Sequence, residues 1–169
     1  MRSNVRNLSY IIPVAAILMV AIACNDLKNN KEMKTEETTP LFPRGNKTPA
    51  EWFVGNAYLH IVSERNSNND FVIGSVTFEP GARTNWHTHP RGQVLIVTEG
   101  EGLYQEKGKP ASIIKKGDVI NIPENTEHWH GATAGSKMVH IAITNFLGES
   151  NSTWLKPVSD EAYNEANKQ

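Results

Sequence analysis

Four of the six histidines in this chain fall in two short windows, His87-Thr88-His89 and His128-Trp129-His130, and Gln93 stands close behind the first pair. Alternate side chains of a β-strand share a face, so a His-x-His pair turns both rings toward one point. Those two imidazoles, with His128 and the Gln93 amide oxygen, make a four-donor set for a divalent ion, with positions left open for substrate. The donors are all nitrogen and oxygen, which favours Mn or Fe over a thiolate-type site; affinity order alone also permits Ni, Cu or Zn. An amide donor carries no charge, so the ion would keep its full 2+ character and polarise a bound oxygen strongly.

Two further histidines sit where they could move protons. His130 shares the inward face of His128 and is either a proton-handling imidazole beside the ion or a packing residue. His140 lies in the alternating run Met138-Val-His140-Ile-Ala142-Ile-Thr144, whose face is the mixed lining of a pocket, with a core histidine as the alternative. Trp86 and Trp129 adjoin ligand positions but point to the opposite face, as packing residues do. His60 stands far from both windows, Glu127 reads as exposed, and Lys115-Lys116 as a solvated turn.

The elements that must position these residues are short strands. Ala57–Glu64, Phe71–Phe78, Val94–Thr98, Leu103–Gln105, Ala111–Ile114, Val119–Ile122, His128–His130 and Met138–Phe146 are rich in β-branched and aromatic residues. Turn clusters separate them, among them Asn66–Asp70, Glu79-Pro-Gly81, Glu99-Gly-Glu-Gly102 and Lys115-Lys-Gly-Asp118. The close spacing argues for an antiparallel sandwich or barrel. Ser159 followed by Asp160 and Glu161 predicts the cap and first turn of a short C-terminal helix.

Gly81-x5-His87-x-His89-x3-Gln93-x6-Gly100 resembles the first cupin motif, with Gln93 where most cupins carry Glu, and Gly117-x5-Pro123-x4-His128 resembles the second. Asn125 replaces the usual Gly two residues after the Pro, and Asn tolerates a left-handed turn. The likeness is greatest to the small manganese-dependent bacterial hydroxynitrile lyases, extending through Ser75–Thr84, Gln93–Thr98, Glu127–Thr133, His140–Ile143 and Trp154 to Tyr163. It implies an all-β double-stranded β-helix, the jelly-roll barrel of cupins, with the short helix appended. It also implies His87, His89, Gln93 and His128 as ligands of a divalent metal, Mn2+ foremost, with Fe2+, Ni2+ or Zn2+ as alternatives. His140 or His130 would be the base, and the activity a C–C lyase on small α-hydroxynitriles. Other cupins of this size are oxygenases, so a dioxygenase on a small aromatic or diketone is the second expectation, and a non-catalytic periplasmic ligand-binding lipoprotein the third. Association into a homodimer or tetramer is also implied.

The remaining chain concerns location. Arg2 and Arg6 precede an apolar run, Tyr10–Ala23, too short for a comfortable membrane span, and the lone cysteine, Cys24, follows at once. This resembles a bacterial lipoprotein signal: residues 1–23 are removed and Cys24 is lipidated, anchoring the protein to a membrane of the cell envelope, facing the periplasm. An ordinary cleaved signal or an uncleaved anchor are the alternatives. Residues 24–50 are polar and read as a flexible tether, leaving 51–165 as the cupin domain. Loss of the two arginines leaves 15 basic against 18 acidic residues, net −3, which offers no basic surface to nucleic acid.

Overall fold

The computed structural model describes residues 39–168, so the expected signal peptide, the Cys24 lipidation site and most of the tether lie outside the described residues. The first strands are β1 (Asn46–Lys47), β2 (Phe53–Val54), β3 (Ala57–Ser63), β4 (Phe71–Phe78), β5 (Arg83–Thr84) and β6 (His87–Thr88). They are followed by β7 (Gln93–Glu106), β8 (Ser112–Lys115), β9 (Val119–Ile122), β10 (His128–Ala132), β11 (Met138–Asn145), β12 (Thr153–Trp154) and the helix α1 (Asp160–Ala166).

All the pairings are antiparallel. One layer runs β1-β3-β4-β11-β7-β9 and the other β2-β5-β10-β7-β8, with β6 beside β10 and β12 beside β6. The two layers share β7, whose first half pairs with β11 and whose second half pairs with β10. A continuous strand that leaves one sheet and enters the other is how the barrel turns its corner. This is the all-β jelly-roll architecture that the motifs implied.

The shared strand differs from expectation. Glu99-Gly-Glu-Gly102 was expected to be a turn between two strands, yet β7 runs straight through it. The turn-forming composition serves a bulge instead: the register with β11 slips between Val139 and His140, and Gly100 takes a φ of 70°. A side chain at Gly100 would overlap the Lys137 carbonyl, so only glycine fits where the strand bends between layers. The end of the expected tether also differs. Asn46 and Lys47 pair with β3, Thr48 is buried and hydrogen-bonds to the Ala57 carbonyl, and Phe42 stacks on His60. Isolated β-branched density was absent there, so the pattern gave no signal of a two-residue edge strand.

Between the layers, Ala57, Val76, Phe78, Ala82, Val97, Ile114, Ala132 and Met138 form the main apolar core. Met138, expected to share the pocket face of His140, is instead fully buried in that core. Outside the second layer, α1 closes the back of the sheet by packing Tyr163 and Ala166, with Val158, on Trp129 and Leu103. Ser159 caps the helix as its sequence predicts, its hydroxyl accepting from the Ala162 amide. Trp129 is therefore a packing residue, its indole N–H donated to Gln105 at 2.7 Å. Trp86 is half-buried beside the same cluster, with the Lys107 ammonium 4.4 Å from its ring. Glu127 is part-buried and pairs with Lys107 rather than standing free.

Candidate metal centre

Four strands and one loop bring the singled-out residues together. Strands β6 and β10 pair so that His87 lies directly opposite His128, with ring centroids 4.2 Å apart. The ring nitrogens of His87, His128 and His130 form a group within 4.8 Å. His89, just past the end of β6, brings its ring to 5.0 Å from His87 and 5.5 Å from His128. Gln93 opens β7, opposite Thr144 of β11. Every one of these side chains is buried.

Hydrogen bonds sort the histidines by role. The Nδ1 of His87 bonds to the Asn85 carbonyl at 2.9 Å, that of His89 to Asn151 at 2.6 Å, and that of His128 to Thr126 at 2.8 Å. A carbonyl only accepts, so each Nδ1 carries the proton and each Nε2 keeps its lone pair. This is the support that metal-bound histidines use to fix ring orientation. The Nε2 atoms of His89 and His128 are buried and have no hydrogen-bond partner, and neither has the Gln93 Oε1, whose own amide Nε2 donates to Thr144 Oγ1 at 2.9 Å. Buried acceptors left without partners are costly in an apolar interior, and a divalent cation satisfies all of them. The residues present therefore fit the divalent metal that the donor types suggest.

His130 is supported differently. Its Nδ1 lies 3.2 Å from His140 Nε2, so one proton is shared between the two rings, and its Nε2 has no partner. Thr84 holds the backbone of His130, accepting its amide and donating to its carbonyl. Phe78 packs against both rings, at 5.8 and 5.5 Å, and seals them from the core. Burial lowers the pKa of all five site histidines. It brings His128 and His140 down to about 4, and holds His87 and His130 well below the imidazole range with help from neighbouring histidines. His89 is lowered by burial as well, against the opposing bond to the Asn151 carbonyl. All are neutral at neutral pH and free to bind a cation or accept a proton.

A cavity of about 390 Å³ opens over these groups. His87, His89, Gln93, His130 and His140 lie on its polar side with Thr84 and Thr144, while Trp52, Phe53, Leu59, Ile61, Val72, Val76, Phe146 and Trp154 supply apolar walls. Spacing alone missed several of these contributors. Trp154 stacks on His87 at 4.7 Å and on Trp52 at 5.4 Å, and the Asn151 carbonyl that orients His89 comes from a loop 62 residues away. His60, given no role, is indeed remote, stacked beneath Phe42.

A model of the Cupin domain family matches residues 74–144, the span from β4 through β11 that holds both histidine windows. An (R)-mandelonitrile lyase from Granulicella tundricola is 43% identical over 117 residues, covering 69% of this chain and 89% of that protein. The chain belongs to the cupins. A cupin-like protein from Thermotoga maritima has a solved structure that superposes on this cupin with a TM-score of 0.74, at 45% identity, covering 77% of this chain and 98% of that one. A shorter likeness joins this cupin to an acireductone dioxygenase from Alcanivorax borkumensis, 34% identical over 62 residues and covering 34% of that enzyme. Relatives of this cupin thus include proteins named as a lyase and as a dioxygenase.

Proposed function

We propose that this cupin is a metal-dependent lyase that splits small α-hydroxynitriles into a carbonyl compound and hydrogen cyanide, with His87, His89, Gln93 and His128 holding Mn2+. One observation carries the reading: unpartnered, uncharged donor atoms lie beside a buried neutral imidazole pair under an apolar-walled cavity. Likeness to a mandelonitrile lyase over most of that protein's length supports it. When bound, a divalent ion supplies Lewis acidity to a hydroxyl oxygen and lowers its pKa.

The chain's own residues handle the proton. With the His130 Nδ1–H donated to His140, the unpartnered His130 Nε2 presents a lone pair and accepts the hydroxyl proton. As the C–C bond breaks, the oxygen's electrons form the carbonyl and cyanide leaves with the bonding pair. His130 then returns the proton to cyanide, so the imidazole pair ends as it began. Apolar walls hold the organic substituent and keep water from the departing anion.

The test is release of benzaldehyde and cyanide from mandelonitrile by Mn2+-loaded protein. Turnover should fall by roughly 100-fold or more in His130→Ala, in keeping with general-base losses, while metal per chain stays unchanged. Absence of cyanide release with Mn, Fe, Ni and Zn alike would sink the lyase reading. The local likeness to acireductone dioxygenases supports an oxygenase as second reading, and oxygen uptake by the Fe2+-loaded protein on a diketone substrate would then replace cyanide release.

The proposal includes attachment to the cell envelope through lipidated Cys24, supported by the apolar run and the small residues before it. Mass spectrometry of the membrane fraction should find a diacylated N-terminal cysteine. Cys24→Ser should release the protein; unchanged membrane attachment in that variant would count against lipidation.

A further inference from the structure

Gly74 stands in the middle of β4 and lines the cavity, where a glycine weakens a strand relative to alanine. Its backbone is not among the positive-φ glycines, so conformational freedom does not account for it. Space does. A Cβ at Gly74 would lie 2.7 Å from Leu59 Cδ1, closer than carbon atoms approach, so the end of the Leu59 side chain occupies the place a larger residue would take.

The location of this contact is chemical as well as structural. Gly74 pairs with Ala142 of β11, and both line the cavity. On β11, Ala142 lies between His140 and Thr144 on the same face. The two smallest residues of the wall therefore make a recess between the imidazole pair and the threonine that holds Gln93, and Leu59 projects from β3 over it. A molecule whose hydroxyl sits between those polar groups meets Leu59 and this small pair as part of its cavity wall.

We infer that Leu59, seated on Gly74, is the gauge that sets how large a substituent the substrate carries. The inference rests on the proposed function only for the kind of molecule that enters, a carbinol or its carbonyl product. Adding a methyl group at Gly74 pushes the end of the Leu59 side chain off β4 toward the cavity it already lines. Removing the Leu59 isobutyl group opens the same volume.

The experiment uses full-length, metal-loaded protein and three carbinols of rising size: isobutanol, benzyl alcohol and 2-naphthylmethanol. Binding is followed by tryptophan fluorescence, since Trp52 and Trp154 line the cavity. Gly74→Ala should weaken 2-naphthylmethanol by about tenfold and leave isobutanol within about twofold, a difference of the size one buried group makes in a pocket. Leu59→Ala should shift preference toward the largest probe, and the double variant should return toward the wild-type order. Circular dichroism and metal content serve as folding controls, and a glycine-to-alanine change in a strand is not expected to disturb either. Equal weakening of all three probes in Gly74→Ala, a double variant no better than the single, or no binding of any carbinol to the wild type would each overturn the gauge. Mandelonitrile cleavage is measured in parallel. Size-dependent binding without cleavage removes the lyase reading and keeps the gauge; cleavage with an unchanged size profile does the reverse.

Discussion

Gln93 shows how much of this site rests on one oriented amide. Its Nε2 donates to Thr144 Oγ1, which turns Oε1 toward the histidines and leaves it buried without another partner. Thr144→Val keeps the shape and removes the acceptor, so the amide loses its fixed orientation. Metal affinity should fall about 10- to 100-fold, as for other groups that orient ligands, measured by competition with a chelating dye. Gln93→Glu should act oppositely on binding, since a carboxylate adds a negative charge: metal is held more tightly while turnover drops, because the ion polarises the substrate oxygen less. Equal metal affinity in wild type and both variants would remove Gln93 from the ligand set. The candidate donors could be picked out because strand periodicity and residue type coincide at positions 87, 89, 93 and 128. The partner of His89 was not, because a backbone carbonyl at Asn151 has no signature in residue type. Nor was the shared proton of His130 and His140, which depends on β10 and β11 facing each other across the barrel.

At the scale of elements, alternation located the longer strands, while composition misjudged the place where the chain bends without reversing and gave no signal of two-residue strands such as β1. The expected turn at 99–102 and the observed bulge both rest on Gly100, and a local pattern cannot tell them apart because both need positive φ there. Gly100→Ala separates them in practice: a Cβ there meets the Lys137 carbonyl within the ladder, so the variant should lose about 1–3 kcal/mol, read as an earlier urea midpoint. A midpoint unchanged from wild type would mean that the bend does not depend on glycine. Asn125 is the counterpart that was legible. It takes φ 58°, the left-handed turn foreseen for it, and its amide donates to the His89 carbonyl at 2.8 Å.

For the whole molecule, five buried neutral histidines make stability depend on acid. Each has a folded pKa below the unfolded value of 6.5, so the unfolded chain binds more protons once the pH drops under that value. Stability of the metal-free protein is then lost as pH falls from 6.5, and for His128 and His140 the loss levels off below about 4. Those two alone make the loss steep within that window. The melting temperature should therefore drop steeply between pH 6.5 and 4.5, and bound metal should raise it most near neutrality. A flat profile would contradict neutral burial. The outer face of the first layer carries Ile73, Val94, Ile96, Val119, Ile141 and Ile143 in neighbouring register, whereas an antiparallel sheet with one wet face normally carries polar residues there. Association of copies through this face is the expected outcome in sedimentation, with Ile141→Lys reverting to monomer; a monomeric wild type would remove the expectation.

Residue type and spacing determined the all-β antiparallel class, the candidate histidine and glutamine donors, the capped C-terminal helix and the packing role of Trp129, because each is a local periodicity or a local cap; the barrel itself was implied by the cupin motifs. Tertiary structure decided which nitrogen of each ring is free, the pairing of His130 with His140, the passage of β7 through both layers, and the recess where Leu59 rests on Gly74. Those depend on contacts between segments far apart in the chain, and no local pattern encodes the distance between two strands that meet only after folding.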